Sequence, residues 1–320
     1  MMLRQDMPNL GELRFDVATG INLGTRARQE DMVVADFPFG APVGFAVLSD
    51  GMGGHSCGDV ASGIVTTEMF SELKLLSADP EQMERALGDV LREAVTDANR
   101  CINHYERQNP ETHGMGATLI APVLFENRLY WISIGDSPLY LFRDHKLYRL
   151  NEDHSYAAQI DRLLARGLMS PEEAKNHPDR SALLSVLAGV EIAKIDCRTE
   201  PMTLQEGDIV LAASDGLHTL SDSRLAGVLS KNANQSGAHI SESLIQAVTS
   251  EACQDQDNLS LCVIKVTRRS ALQSVPVKSG SASNTPQVTT VNTGQVVKID
   301  RNVHDGTVRT LFSFSRKVSK

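Results

Sequence analysis

An apolar run that ends in an acid and then sheds its side chains belongs at the rim of a core, where other groups must come close to the backbone. Residues 44–63, GFAVLSDGMGGHSCGDVASG, are such a run: Phe45 to Leu48 lead into Ser49 and Asp50, and glycines then occupy positions 51, 53 and 54. Asp-Gly after a strand commonly opens a hairpin. No second alternating strand follows; residues 57–76 instead carry apolar residues at helical spacing. Strand, Gly-rich loop and helix is the order of a phosphate-binding turn. The dinucleotide fingerprint nevertheless fails, with Ser56 where its third glycine belongs, and the Gly-Lys-Ser/Thr of a Walker loop is absent.

The feature recurs. LAASDGLHTL, residues 211–220, is again an apolar strand delivering Ser-Asp-Gly. LYWISIGDS puts Asp136 at a third strand end, QDQDNLSLCVIKV puts Asp257 at the mouth of a fourth, and TRARQED sets Glu30 and Asp31 before MVVADF. One strand-end Asp is usually a turn or cap residue. Several at the edge of one core repel each other unless cations neutralise them. Hard divalent ions with oxygen ligands, Mn²⁺ or Mg²⁺, answer that need. Glycines at 51 and 53 then leave room for the Gly51 carbonyl to approach an ion and for a substrate to enter.

Charge supports a site built from carboxylates. Residues 267–320 hold nine Lys/Arg and two Asp/Glu, +7, and the remaining residues hold 22 against 38, −16. Such an acidic body argues against nucleic acid as its partner. The five cysteines (57, 101, 197, 253, 262) lack a CxxC pair and read as reduced thiols of a cytoplasmic protein. No apolar run approaches a membrane span, and the N-terminus lacks the apolar core of a signal peptide.

Residues 10–266 read as one folded unit. Strands are expected at ELRFDVATG, VGFAVLSD, GATLIAPVLF, RLYWISIGD, PLYLFRD, KLYRLN, DIVLAASD and LSLCVIKV, several joined by short polar turns such as ENR and RDHK. Helices are expected at 57–76, about 80–107, 156–176 and 236–252. Antiparallel meanders with paired helices predict sheets covered by helices, not a parallel βαβ fold. From Thr267 the chain becomes a Ser/Thr-rich basic tail with little to bury, read as disordered, whose end around Asp305-Gly306 suits an isolated hairpin or a docking peptide.

Eight segments in order, RARQED, DGMGGHSCGDVAS, GMGATL, IGDSPLYLFRD, EDHS, GLMSPEEAKNHPDRSALLSVLAG, GDIVLAASDGL and DNLSLCVIKV, resemble the metal-dependent protein phosphatases of type 2C in their bacterial form, over residues 12–266. The resemblance implies an α-β-β-α sandwich of two antiparallel sheets flanked by helix pairs, with a dinuclear metal cleft at one edge. It implies an N-terminal extension at 1–11, a catalytic domain at 12–266 with a flap at 153–188, and a tail at 267–320. Asp50 would bridge two Mn²⁺ or Mg²⁺ ions and the Gly51 carbonyl would bind one. Asp215 and Asp257 would complete the first site, with Glu30 at the second, Asp31 in support, and Asp136 shared with a third, weaker ion. Arg26 would clamp the substrate phosphate with two parallel hydrogen bonds. The implied activity is hydrolysis of phosphoserine and phosphothreonine on proteins by a metal-bridged water, opposing a bacterial serine/threonine kinase.

Two positions depart from the family pattern. Met52 stands where many eukaryotic members carry a His proposed as general acid, with His55 nearby in sequence but not assigned that role. Pro138 stands where an Arg is usual after Gly-Asp-Ser. Simpler roles exist for several residues: Arg26 as a surface arginine, Asp31 as a purely structural hydrogen-bond acceptor, Asp136 as a turn residue. His113, His154 and His177 read as loop or flap residues. Two rival functions stay open: a non-catalytic phosphoprotein-binding relative, and a two-metal hydrolase of another phosphate ester. The tail is a candidate for docking a partner by adding a strand to a sheet edge.

Overall fold

The computed structural model describes residues 13–53, 57–180, 182–268, 296–304 and 307–315, the last two stretches as backbone only. The chain divides into two units, Met1–Ser270 and Ala271–Lys320. The first runs β1 (Leu13–Asn22), β2 (Asp31–Asp36), β3 (Val43–Met52), α1 (Gly58–Leu76), α2 (Pro80–Arg85), α3 (Leu87–Gln108), β4 (Gly116–Ala117), β5 (Leu119–Phe125), β6 (Arg128–Ile134), β7 (Leu139–Arg143) and β8 (Lys146–Arg149). It continues with α4 (Tyr156–Ala165), α5 (Pro171–Lys175), β9 (Asp196–Thr203), β10 (Ile209–Ala213), α6 (Asp222–Asn232), α7 (Gly237–Ser250) and β11 (Leu259–Arg268).

Two sheets form, in the orders β1-β11-β10-β7-β8 and β2-β3-β5-β6-β9, with β4 attached to β3; every pairing is antiparallel. The unbroken apolar runs of β3, β5 and β10 follow from burial on both faces. Along β3, Phe45 and Val47 pack outward with Val65, Met69 and Leu73 of α1, while Ala46 and Leu48 face the other sheet. Along β10, Leu211 packs outward with Leu225 and Leu244 of α6 and α7, while Val210 and Ala212 face inward. Three apolar layers therefore separate four layers of structure, the α-β-β-α sandwich. Each buried Leu or Phe in them is worth about 1.5–3 kcal/mol relative to exposure, so the alternation itself holds the sheets face to face. The polar RDHK turn joins β7 to β8 with Asp144 and His145 both at positive φ (50° and 60°), the backbone of a two-residue type I′ hairpin.

Several expectations need adjustment. The helix expected over 80–107 is two, parted at Ala86 (φ −105°, ψ 9°), and 156–176 splits into α4 and α5. Helix α6 and strand β9 were not foreseen. β11 extends to Arg268, opposite Leu13, two residues past the expected end of the folded part. The base of segment 153–188 is closed by hydrogen bonds from Leu184 N to His154 O (2.7 Å) and from Tyr156 N to Ala182 O (2.9 Å). In the second unit, β12 (Val296–His304) and β13 (Thr307–Ser315) pair antiparallel with His304 opposite Thr307, a hairpin register. The N-terminal extension at 1–11, the linker at 269–295, the Asp305-Gly306 turn and His55 lie outside the described residues.

Candidate active site

Register gathers the acids. β2 starts at Asp31 and β3 ends just past Asp50, and pairing sets these two directly opposite. Leu119 at the start of β5 faces Ile134 at the end of β6, so Asp136 emerges at the same end. In the other sheet Ala213 pairs with Leu261, and Asn22 with Leu259, which puts Asp215 and Asp257 at the corresponding strand ends. The Ser214 hydroxyl ties the sheets there, donating to Asp31 Oδ2 at 2.6 Å while its own oxygen accepts from Ser260 N at 2.9 Å.

Like charges facing each other across a strand pair destabilise a sheet, and titration registers it. Burial, then the carboxylates of Asp31, Asp215, Asp136 and Asp257, holds the Asp50 carboxyl well above the usual range. Burial raises Asp31 to about 6 against the pull of its Ser214 hydrogen bond. Asp215 rises to about 6 through burial and then Asp257, and Asp136 to about 7 through burial and then Asp215. Glu30 is also raised, by burial and then by Asp59.

This donor set suits hard cations. It is all oxygen, and Asp31 Oδ1 and Asp215 Oδ1 are buried without a hydrogen-bond partner, a costly state unless something positive meets them. Among the described residues, however, no three Asp, Glu, His or Cys side chains form a ready-made cage around one point. The acids are close enough to shift one another but are not drawn in. Arg26 takes up part of the charge: its Nη2 donates to Asp257 Oδ2 at 2.6 Å, with both side chains well exposed (57% and 38%). The arginine expected on the phosphate thus rests on a carboxylate expected on a metal.

Gly51 has a second reason to be glycine. A Cβ there would lie 2.0 Å from the Gly58 carbonyl oxygen and 2.7 Å from that of Glu30. The end of β3 is wedged between the first turn of α1 and the Glu30 loop, whose carbonyl accepts the Gly51 N–H at 3.1 Å. Met52 is the last residue of β3. Pro138 leaves the neighbouring strand intact, since its carbonyl accepts from Ala213 N at 3.1 Å and β7 begins at the next residue. His154 is buried and accepts from Gly135 N at 3.3 Å, a structural part at the base of segment 153–188.

Three supporting residues were not singled out from the sequence. Asn258 Oδ1 accepts from Glu30 N (2.8 Å) and its Nδ2 donates to Leu23 O (2.9 Å) and Arg28 O (3.0 Å), fixing the loop that carries Arg26. Thr118 grips Asp50 from both sides, with Oγ1 accepting from Asp50 N (3.1 Å) and N–H donating to Asp50 O (2.8 Å). Ser214 is the third. Ser214 and Asn258 each adjoin a flagged Asp, which is the signal available; Thr118 is visible only through register.

A sequence profile described as protein phosphatase 2C matches residues 24–249. The serine/threonine phosphatase stp of Listeria monocytogenes is 36% identical over 173 residues, covering 53% of this chain and 65% of that protein. The serine/threonine protein phosphatase PstP of Mycobacterium tuberculosis is 33% identical over 274 residues, covering 84% of this chain but 48% of its own length. A crystal structure of the PstP catalytic domain in complex with two manganese ions matches 80% of this chain and 99% of that one, at 29% identity and TM-score 0.62. By sequence and by architecture, the chain belongs to the protein phosphatase 2C family.

Proposed function

We propose that this protein hydrolyses phosphoserine and phosphothreonine on proteins with the help of two divalent ions, and opposes a serine/threonine kinase in the cytoplasm. One observation carries the reading: mutually repelling carboxylates are assembled at one end of the sandwich, two with buried, unpartnered oxygens. Asp50, Asp215 and Asp257 would hold the first ion and Asp50 and Glu30 the second, with the Gly51 carbonyl serving one of the two and Asp31 positioned behind them by Ser214; Asp136 is left for a weaker third. Mn²⁺ or Mg²⁺ so placed supplies a hydroxide-like nucleophile near neutral pH and neutralises phosphoryl charge. The two manganese ions of the mycobacterial relative support this choice.

Arg26 is mounted on a loop pinned by Asn258 and reaches the site from solvent. Its guanidinium, which now donates through one nitrogen to Asp257, could offer two parallel N–H groups to phosphoryl oxygens, so substrate would be held by an exchange of one anion for another. Segment 153–188 would flank the cleft as a flap, and the catalytic domain would comprise residues 12–266. Among the described residues no helix is long and apolar enough to cross a membrane.

The test is hydrolysis of a phosphothreonine peptide with Mn²⁺, with Mg²⁺ and with chelator, beside an Asp215→Asn variant. Turnover should need the metal and fall in the variant by on the order of 100-fold or more, beyond what loss of an outer-shell group costs. A folded protein inert with every metal would reject the reading.

A further inference from the structure

We infer that a basic groove on α3 is a docking subsite for an acidic segment of the phosphoprotein substrate; this rests on the phosphatase reading above. A groove of about 510 Å³ is lined by Asn99, Arg100, Asn103, His104, Arg107 and Gly189. Among the described residues no carboxylate lines it, although residues 1–266 carry −16. The opposite face of α3 buries Leu91, Ala94, Val95, Ala98 and Ile102, so these polar residues are what the helix turns outward.

The groove is built and held. Asn99 Oδ1 accepts from Gly189 N (2.8 Å) and from Ala188 N (3.1 Å), its Nδ2 donates to Val190 O (2.6 Å), and Asn103 Nδ2 donates to Gly189 O (2.9 Å). Gly189 has φ +70°, and a Cβ there would meet Asn103 Cα at 2.8 Å. Two side-chain amides and a glycine thus clamp the 188–190 loop onto the helix, with Arg100, His104 and Arg107 one and two turns along. Arg100 shares its charge with Asp97, whereas Arg107 has no acidic partner among the described residues. Arg107 also suits the helix C-terminus electrostatically, but that does not account for Arg100 two turns earlier.

Place completes the inference. Ala117 pairs with Gly51 in β4–β3, and on its other side exchanges hydrogen bonds with Leu187 (2.8 and 3.0 Å), two residues before Gly189. Two strand spacings and two residues put the groove roughly 12–16 Å from Gly51, the length of an extended peptide of about four to five residues. A phosphorylated residue at the carboxylates would place an acidic residue some four to six positions away over the guanidiniums.

Two measurements decide it. The first is binding of a fluorescent Glu-rich, unphosphorylated decapeptide in chelator and low salt, to wild type and to Arg100→Ala/Arg107→Ala. Both side chains are exposed, and an unchanged melting curve is required of the double variant before its binding is read. Affinity should fall roughly three- to tenfold, the loss expected from two exposed ion pairs. The second compares kcat/KM on phosphothreonine peptides with Glu or Ala about five residues to either side. One acidic peptide should be favoured by wild type, the preference should vanish in the double variant, and hydrolysis of a small aryl phosphate should not change. Equal binding by both proteins, or a preference that survives the substitutions, overturns the subsite. Lack of aryl phosphate turnover would instead reject the phosphatase reading and leave the binding result to judge the groove.

Discussion

Asp50 works against the fold that holds it. It faces Asp31 across the ladder, and its carboxyl is held well above the ordinary range by burial and by four neighbouring acids. A carboxyl whose pKa rises on folding contributes fully below its unfolded value, near 4, and loses that contribution as pH climbs through the folded value. For Asp31, Asp215 and Asp136 that window runs from about 4 to about 6 or 7. Asp50→Asn should therefore raise the melting temperature of the metal-free protein, more at pH 8 than at pH 5, while abolishing metal-dependent turnover. Calorimetry in chelator at both pH values checks it; an Asn variant that melts below wild type at pH 8 would show that the acids are not in conflict. Added Mn²⁺ should stabilise wild type more at pH 8 than at pH 5, since bound metal stands in for protons. Arg26 makes a companion case. Arg26→Ala frees Asp257 and should tighten Mn²⁺ binding by calorimetric titration while raising KM. Arg26→Lys should recover little of the KM, because an ammonium lacks the fork.

At the scale of elements, the same residue type carries opposite predictions. Gly51→Ala would drive a methyl to 2.0 Å from the Gly58 carbonyl, both partners being backbone, and should cost about 1–3 kcal/mol and distort the strand end under the acids. Gly227, in the interior of α6, has nothing within 4 Å of an added Cβ, so Gly227→Ala should stabilise by about 0.5–1 kcal/mol through helix propensity. Denaturant melts of the two variants, moving in the same direction, would refute the packing account. What could be read from sequence divides along similar lines. β3, β5 and β10 were legible because burial on both faces writes an unbroken apolar run, and the acids because each borders a strand. β9 was not: an edge strand with mostly open positions and Pro201 within it has no alternation to read. Just past the break at Ala86, Gly88 passes Thr199 of β9, whose Cγ2 would sit 2.6 Å from a Cβ there, a tertiary contact no local pattern announces. α6 had its Ser221 cap and Leu225/Leu229 spacing in plain sight. The acids themselves were all visible; their shared end, and Ser214, Thr118 and Asn258 that fix it, required the register.

For the whole molecule the open quantity is what the second unit adds. Residues 1–270 carry −14 (24 Lys/Arg against 38 Asp/Glu) and residues 271–320 carry +5 (seven against two), so any binding of the second unit to an acidic partner must weaken with salt. Residues to Arg268 belong to the first unit, because Arg268 pairs with Leu13 and its Nε lies 3.0 Å from Glu206 Oε2. A truncation should therefore remove 271–320 and spare β11. The shortened protein should keep its melting temperature and its aryl phosphate turnover within about twofold, since no site residue is lost and surface changes of this kind rarely exceed about 0.5 kcal/mol. If the hairpin presents an edge to a partner, kcat/KM on an intact phosphoprotein should fall while a phosphothreonine peptide is unaffected, and the difference should shrink as salt is raised. Equal loss on aryl phosphate and phosphoprotein would mean that the tail supports the first unit. No loss on either would leave the hairpin without a part in choosing substrates and return that choice to the proposed groove on α3.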